Sequence, residues 1–166
     1  EFQDVIMTSA STSDSGAFVY IYGNSGANDV SFSGTTFEHG YANYDGGCVK
    51  ATYSTVLMDR DTKFTSCTAG YNGGSVMFEY GTLTVEDTSF FSSKTTYYHG
   101  GGIYLQSSTV QIKTTEFESC SAANRGGALY LSSSTLELIA SNFTSTGASV
   151  YGGGYYASSS SVVMLS

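Results

Sequence analysis

The feature that most constrains this chain is a short motif that returns at a nearly constant distance along the sequence. Two glycines, a small residue and a mostly apolar residue recur about every 27 residues, a period typical of solenoid repeats. The copies are Gly46-Gly47-Cys48-Val49, Gly73-Gly74-Ser75-Val76, Gly100-Gly101-Gly102-Ile103, Gly126-Gly127-Ala128-Leu129 and Gly152-Gly153-Gly154-Tyr155, and Ser15-Gly16-Ala17-Phe18 is taken as an earlier copy. Such a period predicts a repeat protein, in which each unit buries its apolar face only against its neighbours.

A second marker keeps the same step along the chain. A phenylalanine recurs with the same period, as Phe37, Phe64, Phe90, Phe117 and Phe143. Counted back from the earliest motif, Ile6 is predicted to fill the first of these positions. Because equivalent positions of successive units stack, these side chains are predicted to form one column in the core.

Each repeat contains short alternating runs, which are typical of β-strands. Ile103-Tyr104-Leu105 follows one glycine pair, a Ser-rich turn comes next, and Val110 and Ile112 mark a second run. The recurring phenylalanine marks a third strand. The pattern therefore predicts an all-β solenoid of about six coils, with about 27 residues per coil and adjacent coils about 4.8 Å apart.

The glycine-pair motif and the phased phenylalanines resemble the repeats of the polymorphic outer-membrane proteins of chlamydiae. Similar repeats occur in adhesin-like proteins of bacteria and protists. The resemblance covers nearly the whole chain and implies a right-handed parallel β-helix, here a single domain over residues 1–166. It also implies a secreted or surface-displayed protein with an adhesive or structural role, and it brings no catalytic residue or cofactor to this sequence.

The composition argues against two classes of partner. The formal net charge is −8 with only six Lys and Arg residues, so the chain repels phosphate backbones and nucleic acid is not expected to bind. No apolar run approaches the roughly 20 residues that a membrane-spanning helix requires. We therefore expect no transmembrane segment.

One group of charged residues recurs after the second strand. Asp59, Glu86 and Lys113 occupy equivalent positions on successive coils, and Arg60 and Asp87 follow the first two. Clustered carboxylates beside basic residues would suit a cation or sugar site, as in β-helical enzymes that degrade polysaccharides. The alternative is a solvated ladder of surface ion pairs, each of small energetic value. We favour the ladder and expect neither an enzyme nor a metal site.

Three tyrosines share one position on neighbouring coils, between residues that face inward. Tyr104, Tyr130 and Tyr156 are therefore predicted to form an exposed aromatic ladder. Such a ladder would contact another subunit or stack against sugars. The alternative is that outward tyrosines, which have good strand propensity, only cover the sheet.

The three cysteines and one sequon bear on the compartment. Cys67 and Cys120 lie two coils apart, which exceeds the reach of a disulfide, whereas Cys48 is close enough in the repeat to reach Cys67. A disulfide between Cys48 and Cys67 and a set of three buried thiols both remain open. Asn142-Phe143-Thr144 is a glycosylation sequon, so Asn142 would carry a glycan in a secreted eukaryotic protein.

The two ends of the sequence are interpreted as lying at nearly the same phase of the repeat. Placed head to tail, Val162 and Met164 of one copy would be followed by Val5 and Ile6 of the next. No polar cap intervenes, so both ends are expected to be open. Open ends suit either an end-to-end polymer or a slice of a longer repeat array.

The leading functional hypothesis is a structural subunit of an extracellular or cell-surface filament that assembles with itself, head to tail. A second hypothesis is an adhesin-type module that binds glycans or a host protein. A polysaccharide-degrading enzyme is the most remote alternative.

Overall fold

The computed structural model describes residues 1–23 and 28–166, and all secondary-structure elements in these ranges are β-strands. The strands form four parallel sheets, named A to D, and the chain visits them in that order once per coil. The sequence predicted three strands per coil. The structure adds a fourth, because two residues near each turn also pair with the coils above and below.

Sheet A is the longest and contains β1 (Phe2–Gln3), β5 (Asn28–Ser33), β9 (Ser54–Asp59), β13 (Thr82–Glu86), β17 (Thr109–Lys113), β21 (Thr135–Ile139) and β25 (Ser161–Leu165). Sheet B carries the recurring phenylalanine and contains β2 (Ile6–Thr8), β6 (Thr36–Glu38), β10 (Thr62–Thr65), β14 (Thr88–Phe91), β18 (Glu116–Glu118) and β22 (Asn142–Thr144).

Sheet C consists of two-residue strands: β3 (Ser11–Thr12), β7 (Tyr41–Ala42), β11 (Thr68–Ala69), β15 (Lys94–Thr95), β19 (Ser121–Ala122) and β23 (Gly147–Ala148). Sheet D follows the glycine pairs and contains β4 (Val19–Tyr22), β8 (Val49–Thr52), β12 (Val76–Glu79), β16 (Ile103–Gln106), β20 (Leu129–Ser132) and β24 (Tyr155–Ser158).

The predicted phenylalanine column is confirmed. Each ring lies parallel to the next, with centroids 4.7, 4.8, 4.8 and 5.2 Å apart from Phe37 to Phe143. The first four side chains are fully buried, and Phe143 is partly buried. Offset stacking at these distances adds to the apolar area that each ring removes from water. The column therefore forms the centre of a core that is continuous along the axis.

Two expectations for the first coil were wrong by one position. Met7 pairs with Phe37 and fills the first position of the column, whereas Ile6 pairs with Thr36 and is 72% exposed. Likewise Gly16, with a φ of +63°, corresponds to Gly46, with a φ of +62°. The first copy of the motif is therefore Gly16-Ala17-Phe18-Val19.

The cause of both errors is a longer first coil. Val19 pairs with Val49, and Val49 pairs with Val76, so the first of these two steps along the chain is longer than the second. Counting back with a constant period therefore misplaced the phase of the first coil.

The two glycines of each pair meet different demands, as Gly73 and Gly74 illustrate. Gly73 has a φ of +63°, a conformation that side chains rarely adopt. At Gly74 an added Cβ would lie only 2.0 Å from the carbonyl oxygen of Gly101 on the next coil. The first glycine therefore makes the turn, and the second lets two backbones approach each other.

Candidate functional surfaces

The predicted tyrosine ladder forms on the outer face of sheet D. The rings of Tyr104, Tyr130 and Tyr156 stack with centroids 4.9 and 5.4 Å apart. It is not an exposed ladder, however, because Tyr130 is only 8% exposed and Met77 in the same column is also buried. Burial raises the pKa of Tyr104 to about 12, and the neighbouring Tyr130 adds to that effect.

A row of turn residues covers the ladder. The residue before each glycine pair folds over sheet D, and the ring of His99 stacks on Tyr130 with centroids 4.3 Å apart. The guanidinium of Arg125 lies 5.1 Å from the centroid of Tyr156 and 5.4 Å from that of Tyr151, which are cation–π contacts. Burial and the charge of Arg125 lower the pKa of His99. The middle of the ladder is therefore internal packing and is not a free binding face.

An ion pair anchors the same row of turns on the earlier coils. The Lys50 ammonium lies 3.1 Å from a carboxylate oxygen of Asp45, and both side chains are mostly buried. The other Asp45 oxygen accepts hydrogen bonds from the backbone and side-chain nitrogens of Asn72. Burial raises the pKa of Glu79, and the positive charge of Lys50 opposes that rise. These groups fix the turn on the sheet.

The charged residues after the second strand do not gather into one cluster. Lys113 pairs with Glu86, and Lys63 pairs with Asp61. Asp61 and Lys63 are exposed, and Glu86 and Lys113 are partly exposed. Among the residues that the structure describes, no three His, Cys, Asp or Glu side chains are placed to hold a metal ion. This geometry corresponds to the ladder of surface ion pairs.

The disulfide between Cys48 and Cys67 is present. It joins the start of sheet D to the turn after sheet B on the next coil. The remaining thiol, Cys120, is fully buried, and burial raises its pKa to about 12. A thiol in this state is protonated and is therefore a poor nucleophile.

Asn142 of the sequon is exposed at the start of β22, where a glycan would meet solvent; its glycosylation stays a prediction.

The last coil presents an apolar cleft. The cleft has a volume of about 680 Å³, and its lining includes Leu138, Phe143, Tyr155, Met164 and Leu165. It lies where the next strand of sheet B would cover the last ring of the phenylalanine column. Met164 and its neighbours in β25 are about half exposed. This surface therefore has the shape and polarity of an unfilled coil position.

The predicted continuity between the two ends needs a correction. Phe2 pairs with Phe32 in sheet A, so the first residues still belong to the second strand of a coil. Phe2 and Met164 consequently occupy the same position of the repeat, since both belong to one column of sheet A. In a head-to-tail arrangement, residues 1–4 of one copy and residues 163–166 of another would compete for the same place before Val5.

Two rows of tyrosines that the sequence reasoning missed lie on the turns. Tyr44, Tyr71 and Tyr98 stack with centroids 5.3 and 5.2 Å apart, and Tyr53 stacks on Tyr80 at 4.9 Å. All five are exposed. Their recurrence once per coil was the available signal, but they fall in turns, where alternation gives no guide.

A family model described as a right-handed β-helix region matches residues 2–165 of this chain. Comparison with curated proteins and with solved structures gives no match. The match is to the general right-handed β-helix family. The narrower resemblance to the chlamydial repeats stays a prediction. Across residues 1–23 and 28–166, no helix has the length and hydropathy needed to cross a membrane.

Proposed function

The chain belongs to the right-handed β-helix family, and on that premise we propose that it is a structural segment of an extracellular filament in which copies stack end to end. The observation that carries the proposal is the apolar cleft above Phe143. Open coils expose core and unpaired backbone, and a further coil stacked on this surface would cover both.

The second copy fits this cleft by register. Met7 belongs to the same column as Phe143, so Met7 of the incoming copy would cover the last ring. Ile6, which is 72% exposed, belongs to the outward column of sheet B that ends at Asn142, so it would lie over Asn142 at the edge of the junction. Val5 and Val162 would flank the junction. Such a contact is heterologous and does not close, and it therefore produces a filament.

The two ends of the chain occupy the same position of the repeat, and this overlap sets one condition on the junction. Residues 1–4 of the incoming copy and residues 163–166 of the other copy compete for one place in sheet A, and we propose that residues 1–4 leave it so that strand β2 can settle over Phe143. Their displacement removes the stacking of Phe2 on Phe32, whose ring centroids lie 5.1 Å apart. Removing residues 1–4 is therefore expected to promote assembly.

Three features support a location outside the cell and a role without catalysis. The Cys48–Cys67 disulfide fits an oxidising compartment. Cys120 is a buried, protonated thiol, and the ion-paired carboxylates are solvated. The exposed tyrosine rows favour a second candidate, an adhesive surface module, which is compatible with a filament.

The test uses the purified chain in sedimentation and electron microscopy over a range of concentrations. We expect filaments with a rise of about 29 Å per copy, from six coils about 4.8 Å apart. Met164→Lys should abolish assembly because it places a charge in the apolar cleft. Phe91→Lys alters an exposed aromatic residue on the side of the solenoid and should leave assembly unchanged. A chain that stays monomeric at high concentration, with or without residues 1–4, would overturn the proposal.

A further inference from the structure

A groove of about 250 Å³ runs along the turns between sheets C and D. It is lined by Tyr41, Asn43, Tyr44, Gly70, Tyr71 and Tyr97. These residues come from three successive coils, so the groove follows the axis of the solenoid. None of the six lining residues carries a charge.

The groove is kept open by its floor and by its rim. An added Cβ at Gly70 would lie 2.0 Å from the carbonyl oxygen of Asn43, so the backbone leaves no room for a side chain there. Tyr97 is 64% exposed, and its ring is tilted by 59° from that of Tyr71. The two rings therefore do not stack face to face, and the Tyr97 ring remains accessible to a ligand.

One wall is rigid before any ligand arrives. The ring of Tyr71 is stacked between those of Tyr44 and Tyr98, at centroid distances of 5.3 and 5.2 Å. Tyrosine offers a large amphipathic contact with few rotatable bonds. A wall that is already ordered reduces the entropy that a ligand must overcome on binding.

We propose that this tyrosine groove binds a neutral glycan chain lying along the axis. The faces of sugar rings carry C–H groups that would pack on the accessible ring of Tyr97, while sugar hydroxyls would exchange hydrogen bonds with the tyrosine hydroxyls along the groove and with the Asn43 amide. A polyanionic glycan is disfavoured, because the lining has no cation and the chain has a net charge of −8.

The repeat distance selects a chain over a single sugar. Successive rings of the Tyr44–Tyr71–Tyr98 row lie 5.3 and 5.2 Å apart, which is comparable to the length of one pyranose residue in an extended β-linked chain. The groove spans three coils, so it has room along the axis for a short run of sugars and not for one alone. A protein partner fits less well, since stable protein interfaces bury about 800 Å² on each side and this groove is small and narrow.

The proposal is tested by titration calorimetry with neutral β-linked di- and hexasaccharides of glucose, mannose and N-acetylglucosamine. The Met164→Lys chain is used, so that the outcome does not depend on filament assembly. We expect one of the hexasaccharides to bind in the micromolar to millimolar range, and more tightly than its disaccharide.

The variants locate the site. Tyr97→Ala combined with Tyr41→Ala should weaken binding about tenfold, because each ring contributes contact area. Tyr97→Phe should lose less than Tyr97→Ala, since it keeps the ring. Tyr20→Ala is the matched control, because Tyr20 is 57% exposed but does not line the groove. Any of three results would overturn the proposal. They are that no neutral hexasaccharide binds, that only charged glycans bind, or that the Tyr41/Tyr97 double variant binds with the same affinity as the parent chain.

Discussion

Gly74→Ala is the sharpest test of how closely the coils approach each other. The new Cβ would lie 2.0 Å from the carbonyl oxygen of Gly101 and 2.6 Å from the backbone nitrogen of Lys94, whereas ordinary contacts begin at 3.4 Å. Both obstructing atoms belong to the backbone of the next coil, which is itself held by the coil beyond it. Two neighbouring coils must therefore move apart for the methyl group to fit.

The expected cost follows from two terms. Overpacking of a close contact costs about 1–3 kcal/mol. Moving the coils apart would also weaken the hydrogen bond that the Gly74 nitrogen donates to the Gly100 oxygen, 2.9 Å long in the parent chain, which adds about 1 kcal/mol. A loss of about 2–4 kcal/mol should lower the melting temperature of a chain of this size by roughly 5–15 °C. Thermal unfolding followed by far-ultraviolet circular dichroism measures this shift.

The first coil shows why position in the stack matters. Ala17 naturally occupies the position that corresponds to Gly47, and there the Gly16 nitrogen divides its hydrogen bond between the oxygens of Asp45 and Gly46, both 3.0 Å away. A terminal coil has a neighbour on one side only, so it adjusts more easily than a coil in the middle.

Two matched glycines provide the controls. A methyl group added at Gly147 would have no heavy atom within 4 Å, and Gly153 holds the same repeat position as Gly74 on the last coil, with its nearest neighbour 3.3 Å away. Both alanine variants should melt within about 2 °C of the parent chain. If Gly74→Ala melted as high as Gly147→Ala, the argument that coil spacing excludes a side chain here would be refuted.

Three other side chains give independent checks. Phe90→Ala should lower the free energy of unfolding by about 3–5 kcal/mol in denaturant titrations, and Phe143→Ala should cost less because that ring is only partly buried. The pKa of His99 is lowered in the folded chain, so the folded state favours the neutral imidazole. The stability that His99 contributes is therefore complete above its unfolded pKa of about 6.5 and is lost as the pH falls through its folded pKa. His99→Gln should therefore flatten the decline in melting temperature below about pH 6.5. Cys120 should react with iodoacetamide only on unfolding, which peptide mass spectrometry would detect; labelling at the rate of a free thiol would contradict its burial.

The interior was predictable because it repeats. Equivalent apolar residues recur at a fixed distance, and stacking coils must place them together, so Phe37 to Phe143 form the expected column. The errors arose where the repeat varies. Because the first coil is longer, counting back with a constant period assigned Ile6 instead of Met7 to the phenylalanine column. For the same reason it placed the start of the chain after sheet A instead of within it.

The surface was less predictable, because alternation describes only strands. It correctly placed Tyr130 on the outer face of sheet D, but it carries no information on the turns that fold back over that face. His99 and Arg125 cover the ladder through contacts between residues of different coils. The exposed rows Tyr44–Tyr71–Tyr98 and Tyr53–Tyr80 lie in turns, where only their recurrence once per coil marks them.

Stacking also accounts for the low share of charged residues, which is 12%. A side chain on a strand lies about 4.8 Å from its equivalent on the next coil, where two like charges repel by about 1 kcal/mol in water and more near a protein surface. The register avoids this in sheet A, where Glu86 faces Lys113 and Glu137 faces Gln111. Hydroxyl side chains incur no such repulsion, and tyrosines gain stacking energy from an identical neighbour. The period that builds the core therefore also selects a lateral surface rich in tyrosine and poor in charge, which is the surface that a neutral ligand would meet.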